Sequence, residues 1–306
     1  MEIKELNNIS TPEKETSLTI GIFDGIHLGH QRVIRNLLLT SKRKNLIPVV
    51  ITFNPHPEKI LGKGEVRLIQ TLSQRVEMLK NMGIDKIIIL NFNERLAQTE
   101  PEDFIYFLAK NLKMKELFIG KDFTFGKNKR GNYSMIEKYS KIHNFQLNQV
   151  KILKINREKI SSSLIRKKIE EGEIEKVKKY LGRPYSIIGN VSKGYSRGKR
   201  LGIPTANLIP ENEIIPKGVF ISEVKIKEKI YPSVTNIGFS PTFGGSTIGI
   251  ETHLFNYEND LYSEKIEIFL IKKIRDEIKF QNEEELRFRI SKDIKITKNY
   301  FKKRNF

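Results

Sequence analysis

Hydrophobic positions in the first half of the chain alternate between short unbroken apolar runs and helical spacing. The apolar runs predict buried strands at Leu18 to Phe23, Leu46 to Phe53, Lys86 to Leu90 and Leu117 to Ile119. Helical spacing predicts helices that carry Val33, Ile34, Leu37 and Leu38, that span Leu72 to Met82, and that Pro101 opens. Strands that alternate with helices indicate an α/β domain with a parallel sheet.

The pattern changes in the second half. One polar helix is predicted over residues 161–181, ending before Gly182. Short β-rich runs punctuated by Gly and Pro follow at Val219 to Ile226, Ser233 to Ile237, Ile248 to Phe255 and Lys265 to Leu270. A last helix is predicted from Glu283 to Tyr300. These features predict a small β-barrel or sandwich, domains at 1–182 and 183–306, and an ordered helix rather than a flexible tether between them.

Composition narrows the function classes. The 306 residues favour two domains, and the absence of Cys excludes disulfides, thiolate metal sites and cysteine nucleophiles. No signal-peptide pattern or run of about 18 apolar residues occurs, so we expect a cytoplasmic protein with no membrane partner. The net charge of +19 suits anionic partners. Lys, Ile and Asn are abundant throughout the chain and Trp is absent, which is the bias that AT-rich coding sequence produces. We therefore attribute much of the positive charge to this bias and expect no nucleic-acid partner.

The segment GIFDGIHLGH (21–30) places two imidazoles three residues apart where a strand gives way to a helix. Free N–H groups at the helix N-terminus favour phosphate, and Gly25 and Gly29 let backbone approach it. His27 and His30 can stabilise charge that develops on an α-phosphate. The segment therefore favours nucleotidyl transfer, with Mg²⁺ held mostly by phosphoryl oxygens.

A second candidate site begins in GKRLGIPTAN (198–207). Glycines and cations in such a loop can wrap phosphates, and the Thr205 hydroxyl and the Asn207 carbonyl can bind Mg²⁺ through hard oxygens. Phosphorylation of an alcohol also needs a carboxylate beside the attacking hydroxyl. Glu251, within IGIETHLF (248–255), is the candidate, although alternation by itself favours solvent exposure for this residue.

These motifs together resemble a known family. GIFDGIHLGH resembles the signature of the HxGH nucleotidyltransferases, and the whole chain resembles the prokaryotic bifunctional riboflavin kinase/FAD synthetases. The supporting stretches, in the order of that family, are TFNPHP (52–57), IGKDFTFGKNKRGN (119–132), ISSSLIR (160–166), LGRPY (181–185), GKRLGIPTAN (198–207), NIGFSPTF (236–243), ETHLFNYENDLY (251–262) and IRDEIKF (274–280). The resemblance implies a Rossmann-like nucleotidyltransferase domain, then a six-stranded antiparallel riboflavin-kinase barrel with a closing C-terminal helix.

The resemblance also implies residue roles in the first domain. His27 and His30 bind ATP phosphates and stabilise the transition state as FMN attacks the α-phosphate, and Ser161, Ser162 and Arg166 hold the outgoing phosphates. Ser163 stands where the family usually has Thr and keeps the hydroxyl. The further ATP-binding residues implied are Gly21, Phe23, Asp24, Gly25 and Gly29. The residues implied to face the flavin are Asn54, His56, Asp122, Phe125 and Arg130, although for Phe125 by itself core packing is the better interpretation.

In the second domain the resemblance implies that Thr205 and Asn207 hold Mg²⁺-ATP, that Gly202 and Pro204 contact ATP, and that Glu251 is the catalytic base. Ser240 stands where the family often has Arg, and Asn259 and Ser263 stand where glycines are common. These departures bear on loop geometry and affinity. For Arg275 and Glu277 we expect only a surface ion pair.

The predicted function is phosphorylation of riboflavin to FMN and adenylylation of FMN to FAD, with Mg²⁺ and ATP. The expected partners are riboflavin, FMN and ATP, and weak self-association is compatible with the sequence. One alternative is a monofunctional FAD synthetase with an inactive barrel. A second alternative, from a different class, is a flavin- or RNA-binding regulator without turnover.

Overall fold

A computed structural model describes residues 2–62, 64–151, 153–155, 157–192, 202–239 and 248–304. The chain divides into two compact units, Met1–Ser162 and Ser163–Phe306. The predicted domain boundary at 182/183 lies two helices beyond this division. Within the described ranges, no helix combines the length and the apolar character needed to cross a membrane.

The first unit is built on a parallel sheet. Its strands are β1 (Ile3–Lys4), β2 (Thr16–Ile20), β3 (Ile47–Asn54), β4 (Lys86–Asn91), β5 (Met114–Gly120) and β6 (Gln146–Val150). Its helices are α1 (Leu28–Lys44), α2 (Pro57–Ile60), α3 (Leu72–Asn81), α4 (Glu94–Ala97), α5 (Pro101–Asn111) and α6 (Tyr133–His143). A small hairpin of β7 (Lys154–Ile155) and β8 (Glu158–Lys159) follows. The prediction of a parallel α/β sheet is confirmed.

Helices cover both faces of this sheet. Successive residues of β3 point to opposite faces of the sheet and so belong to different cores. Val50 packs with α1 and α3, and Ile51 packs with α5 and α6. The sheet order is β1-β4-β3-β2-β5-β6. The chain therefore winds in one direction from β2 through β3 to β4, and in the other from β5 to β6. The carboxyl ends of β2 and β5 flank the point where the order reverses, which is where ligands bind in such sheets.

The second unit begins with α7 (Ser162–Glu170) and α8 (Ile174–Leu181). Its strands are β9 (Tyr185–Ser192), β10 (Ala206–Pro210), β11 (Gly218–Ile226), β12 (Lys229–Phe239), β13 (Ile248–Leu254) and β14 (Lys265–Arg275). They close an antiparallel barrel in the order β10-β13-β12-β11-β14-β9, and α9 (Glu283–Lys302) follows. The prediction of a six-stranded antiparallel barrel with a final helix is confirmed.

The interior of the barrel contains hydroxyls as well as apolar groups. Four fully buried side chains are linked there: Ser222 Oγ lies 2.8 Å from Ser233 Oγ and 2.7 Å from Thr235 Oγ1, and Thr235 Oγ1 donates to Thr252 Oγ1 at 2.9 Å. Buried polar groups are tolerated when they are hydrogen-bonded. These bonds join β11, β12 and β13 and fix how the three strands are aligned.

Two predictions are wrong. The single polar helix over 161–181 is two helices, because Gly172 adopts a φ of 72° between α7 and α8 and a helix cannot continue through it. The expected Arg275–Glu277 ion pair is also absent from the contacts of Arg275. Its guanidinium instead binds the buried carboxylate of Asp293 on α9 in a forked arrangement, with Nη2 2.7 Å from Oδ2. The tertiary fold brings Asp293 closer than the sequence neighbour.

Candidate active sites

The predicted nucleotidyltransferase motif forms a strained turn directly after β2. Phe23, Gly25 and Ile26 have φ values of 52°, 80° and 35°, so two non-glycine residues adopt left-handed backbone conformations. Such conformations cost about 1–3 kcal/mol each and concentrate at functional sites. The turn leads the chain from the edge of the sheet into the N-terminus of α1, where phosphate binding is expected.

Asp24 anchors this turn. Its side chain is buried, and Oδ1 accepts hydrogen bonds from the backbone N–H groups of Ile69 at 2.9 Å and Gln70 at 3.4 Å. The Ser162 hydroxyl donates to the Asp24 carbonyl at 2.9 Å. The fold therefore brings together two of the predicted ATP-binding residues that lie far apart in the sequence. The hydrogen bonds from Ile69 and Gln70 hold the Asp24 carboxylate in the turn, and its contact with ATP stays a prediction.

His27 and His30 form a stacked pair at the start of α1. Their ring centroids are 3.7 Å apart with an angle of 15° between the planes. His27 is the N-cap residue of α1, and its Nδ1 accepts the backbone N–H of His30 at 3.3 Å. A Cβ on Gly29 would lie 3.0 Å from Cε1 and Nδ1 of the His27 ring. Glycine at this position therefore leaves the space that the His27 ring occupies.

The environment keeps His30 neutral. Burial, then the nearby His27 and then Arg75, lower the pKa of His30 well below 6.5. The buried Nδ1 of His30 has no hydrogen-bond partner among the described residues. An unpaired buried polar atom is costly, and a bound anionic group beside the imidazole would supply the missing hydrogen-bond partner.

Arg75 is a residue that the sequence analysis missed. It lies on α3, is 2% exposed, and donates to two carbonyls, Ile22 at 2.6 Å and Phe53 at 3.1 Å. It thus ties the turn after β2 to the end of β3 and places positive charge near the His pair. The available signal was its place on the apolar face of the predicted helix, three residues after Leu72 and four before Leu79.

The predicted phosphate-binding serines lie at the division between the units. Ser161 and Ser162 belong to the first unit, whereas Ser163 and Arg166 belong to the second. Helix α7 begins at Ser162, so Ser161 precedes its first turn. The predicted roles of Ser161, Ser163 and Arg166 stay predictions.

The residues predicted to face the flavin follow the two strands beside β2. Asn54 ends β3 and the buried His56 caps α2, where its Nδ1 accepts the backbone N–H of Glu58 at 3.1 Å. Asp122 follows β5 and pairs with Lys159 on β8. The carboxyl ends of β3 and β5 place these residues on either side of the His motif.

Phe125 and Arg130 lie in the loop between β5 and α6. The Phe125 ring stacks on the Phe123 ring, with centroids 5.5 Å apart, and packs against the core of the first unit. This agrees with the interpretation of Phe125 as a core-packing residue. The Arg130 guanidinium donates to Glu100 Oε2 at 2.9 Å and is largely exposed. To bind a phosphate, Arg130 must therefore either release the Glu100 carboxylate or contact the carboxylate and the phosphate together.

The predicted kinase residues meet on the outer surface of the barrel. Asn207 of β10 is the direct antiparallel partner of Glu251 on β13, so the two side chains are neighbours on one face. Ile250 and Thr252, which flank Glu251, are buried in the barrel, while Glu251 is exposed. Thr205 directly precedes β10, and the Pro204 carbonyl accepts a hydrogen bond from His253 Nδ1 at 2.7 Å. Strand pairing thus brings residues 44 positions apart into one site.

Of the predicted loop, Gly202 has a φ of 74°. Residues 198–201 and Ser240, where the sequence departs from the family, lie outside the described residues. Asn259 is exposed. Ser263, where the family commonly has Gly, adopts a φ of 62°, a conformation that glycine takes without strain. The loop therefore keeps a glycine-type backbone at this position despite the substitution.

Family models and known proteins match the chain over nearly its whole length. The model described as FAD synthetase matches residues 9–164, and the model described as riboflavin kinase matches residues 181–301. A bifunctional riboflavin kinase/FMN adenylyltransferase of Buchnera aphidicola is 37% identical, and the match covers 98% of each chain. A protein of the same name from Haemophilus influenzae is 33% identical, again with 98% of each chain covered.

A solved structure agrees with the whole fold. The crystal structure titled as a macrolide-efflux protein from Streptococcus pneumoniae is 29% identical, with a TM-score of 0.88 and coverage of 97% of this chain and 98% of that chain. One family model matches each half of the chain, and relatives above 30% identity match it over nearly the full length. The chain belongs to the family of bifunctional riboflavin kinase/FMN adenylyltransferases.

Proposed function

We propose that this chain converts riboflavin to FMN at the Glu251 site of the barrel and converts FMN to FAD at the His27–His30 site of the α/β unit. The observation that carries the proposal is that each family model coincides with one cluster of chemically suitable residues. Its proposed domains remain 1–182 and 183–306, and its proposed location remains the cytoplasm. Two molecules of ATP are used, the first as phosphate donor and the second as AMP donor.

In the kinase reaction, Glu251 orients the 5′-hydroxyl of riboflavin and accepts its proton. The alcohol oxygen forms a bond to the γ-phosphorus of ATP, the bond from that phosphorus to the bridging oxygen breaks, and ADP leaves with the electron pair. The proton on Glu251 then passes to solvent. Gly202 and Pro204 are proposed to contact ATP.

Mg²⁺ is implied by the family, and the residues fit it. In the described part of the chain, no three His, Asp or Glu side chains gather into a metal cage. Thr205 and Asn207 offer hard hydroxyl and amide oxygens, which suit an ion that takes most of its ligands from phosphates and water. When bound, Mg²⁺ would neutralise phosphate charge, and we propose Thr205 and Asn207 as the residues that hold it.

In the adenylyl transfer, a phosphate oxygen of FMN forms a bond to the α-phosphorus of ATP, and pyrophosphate leaves with the electron pair. The N–H groups at the start of α1 and the stacked imidazoles face the charge that develops there. His30 is neutral before substrate binds. It therefore meets the phosphates as an uncharged imidazole, which donates a hydrogen bond to them or accepts a proton beside them. Ser161, Ser162, Ser163 and Arg166 are proposed to hold the outgoing phosphates.

The flavin of this second reaction is proposed to lie along the loops after β3 and β5. Asn54 and His56 contact it from one side, and Asp122 and Phe125 from the other. The Arg130 guanidinium separates from Glu100 and then binds the FMN phosphate. The partners are thus riboflavin, FMN and ATP.

The test follows riboflavin, FMN and FAD by chromatography in reactions that contain the full chain, ATP and Mg²⁺. Wild-type protein is expected to convert riboflavin through FMN to FAD, Glu251→Gln to convert only added FMN, and His30→Ala to stop at FMN. FAD formation only from added FMN by the wild type would support the monofunctional alternative. No product from riboflavin or FMN would refute the enzyme proposal and favour a flavin-binding regulator.

A further inference from the structure

Asn236 lies beside the proposed catalytic base and is the first residue of NIGFSPTF (236–243), and neither the resemblance nor the family models assign it a role. In the barrel, Glu251 of β13 pairs with Asn207 of β10 on one side and with Asn236 of β12 on the other. Direct antiparallel partners have Cβ atoms about 4.5–5.5 Å apart and share a face. Glu251 therefore has an asparagine as its direct neighbour on each side.

The placement of Asn236 is fixed by the barrel interior. Thr235 and Ile237, its sequence neighbours, are fully buried, whereas Asn236 is exposed on the outer face with Glu251. The hydrogen bond from Thr235 to Thr252 ties the adjacent inward positions of β12 and β13 at 2.9 Å. A slip by one residue would break this bond and turn Asn236 inward. The same register that builds the core thus holds Asn236 next to Glu251.

Asparagine is a poor choice for the middle of a strand on structural grounds. It is depleted in strands, where β-branched and aromatic side chains pack better. Its carboxamide offers what a catalytic carboxylate needs from a neighbour, namely an N–H donor without a charge. A hydrogen bond from such a donor restricts the carboxylate to one orientation and favours its ionised form.

We propose that Asn236 is a positioning residue of the phosphoryl-transfer site, which donates a hydrogen bond from Nδ2 to the Glu251 carboxylate and aims it at the substrate hydroxyl. This inference rests on the proposed kinase function. The two carboxamides then have separate tasks: Asn207 supplies an oxygen to the metal, and Asn236 orients the base. Asn236 itself forms no bond to the reacting atoms.

The experiment measures the pH dependence of kcat for riboflavin phosphorylation by the full chain with Mg²⁺-ATP. Asn236→Ala is expected to lower kcat about 10- to 100-fold, the effect of losing one hydrogen bond to a charged group. Asn236→Asp keeps the shape but places a like charge beside Glu251, so kcat falls and the acid limb of the pH profile moves to higher pH. In a Glu251→Gln background, Asn236→Ala is expected to have little further effect.

Asn190 supplies the matched control. It is an exposed asparagine in β9 whose strand partners are Ile209 and Lys265. Asn190→Ala and Asn190→Asp are expected to leave kcat and the acid limb unchanged. FAD formation from added FMN monitors the first unit in every variant, and the melting temperature monitors folding.

Two results would overturn the inference: wild-type kcat with an unmoved acid limb in both Asn236 variants, or a loss of kcat that follows only a lowered melting temperature. Failure of the proposed function looks different, because the wild type would then form no FMN from riboflavin.

Discussion

Gly29→Ala is expected to stop most FMN adenylylation while leaving the protein folded. The new Cβ would lie 3.0 Å from two atoms of the His27 ring, where ordinary contacts begin at 3.4 Å, so the ring must move by about 3.4 − 3.0 = 0.4 Å or more. His30 stacks on that ring at 3.7 Å and is displaced with it. Displacements approaching 1 Å cost about 100-fold in rate, and we expect a loss of about 10- to 100-fold.

Stability is expected to change little in Gly29→Ala because two effects oppose each other. Weakening the His27 cap costs up to about 1 kcal/mol, and alanine in place of glycine in a helix gains up to about 1 kcal/mol. The assay is FAD formation from FMN and ATP, with riboflavin phosphorylation by the same sample as the internal control. Leu39→Ala changes an exposed residue of the same helix and should leave both rates unchanged. Adenylylation at the wild-type rate in folded Gly29→Ala would refute the account of the His pair.

Three further predictions concern pH, a buried ion pair and an anion contact. Because burial lowers the pKa of His30, its contribution to stability is present above about pH 6.5 and declines as the pH falls through that value; thermal melting should show this acid sensitivity, and His30→Gln should reduce it. Asp293→Ala leaves the Arg275 charge buried without its carboxylate and should lower the free energy of unfolding by about 3–5 kcal/mol, measured by denaturant titration. Glu100→Gln releases Arg130 and should lower the KM for FMN by less than about fivefold, as for an exposed pair, with the difference lost at high salt; an unchanged or higher KM would argue against an Arg130–phosphate contact.

The elements were accessible from the sequence because they are encoded locally, whereas the roles of the site residues came largely from the resemblance and stay predictions. Apolar runs marked β2 to β5, and the glycine and histidine spacing of residues 21–30 marked the turn into α1. The structure adds that β3 and β5 flank β2 in the parallel sheet, so the residues after these three strands share one edge of the sheet. In the second half, short β-rich runs predicted a barrel or sandwich, and closure into a six-stranded barrel came only from the resemblance.

The parts that sequence patterns missed depend on contacts between distant segments. The break at Gly172 was hidden because its flanks, Glu171 and Glu173, continue the polar pattern of a helix. Six acidic residues follow Arg275 along the chain up to Asp293, and only the packing of α9 selects Asp293. Local patterns report which face of an element is buried, but they do not report which buried polar groups find each other.

Arg75 and Asn236 show what this means for the two sites. The charge of Arg75 lowers the pKa of His30, and its position is fixed by the carbonyls of Ile22 and Phe53, so its influence depends on how α3 meets the turn after β2 and the end of β3. Asn236 gains its neighbour Glu251 from strand register alone. In both units we propose that one set of residues contacts substrate, while neighbours to which the resemblance assigns no role set the charge or orientation of that set. Substitutions at Arg75 and Asn236 are therefore expected to change the pH dependence of one reaction each, which distinguishes them from substitutions that only weaken folding.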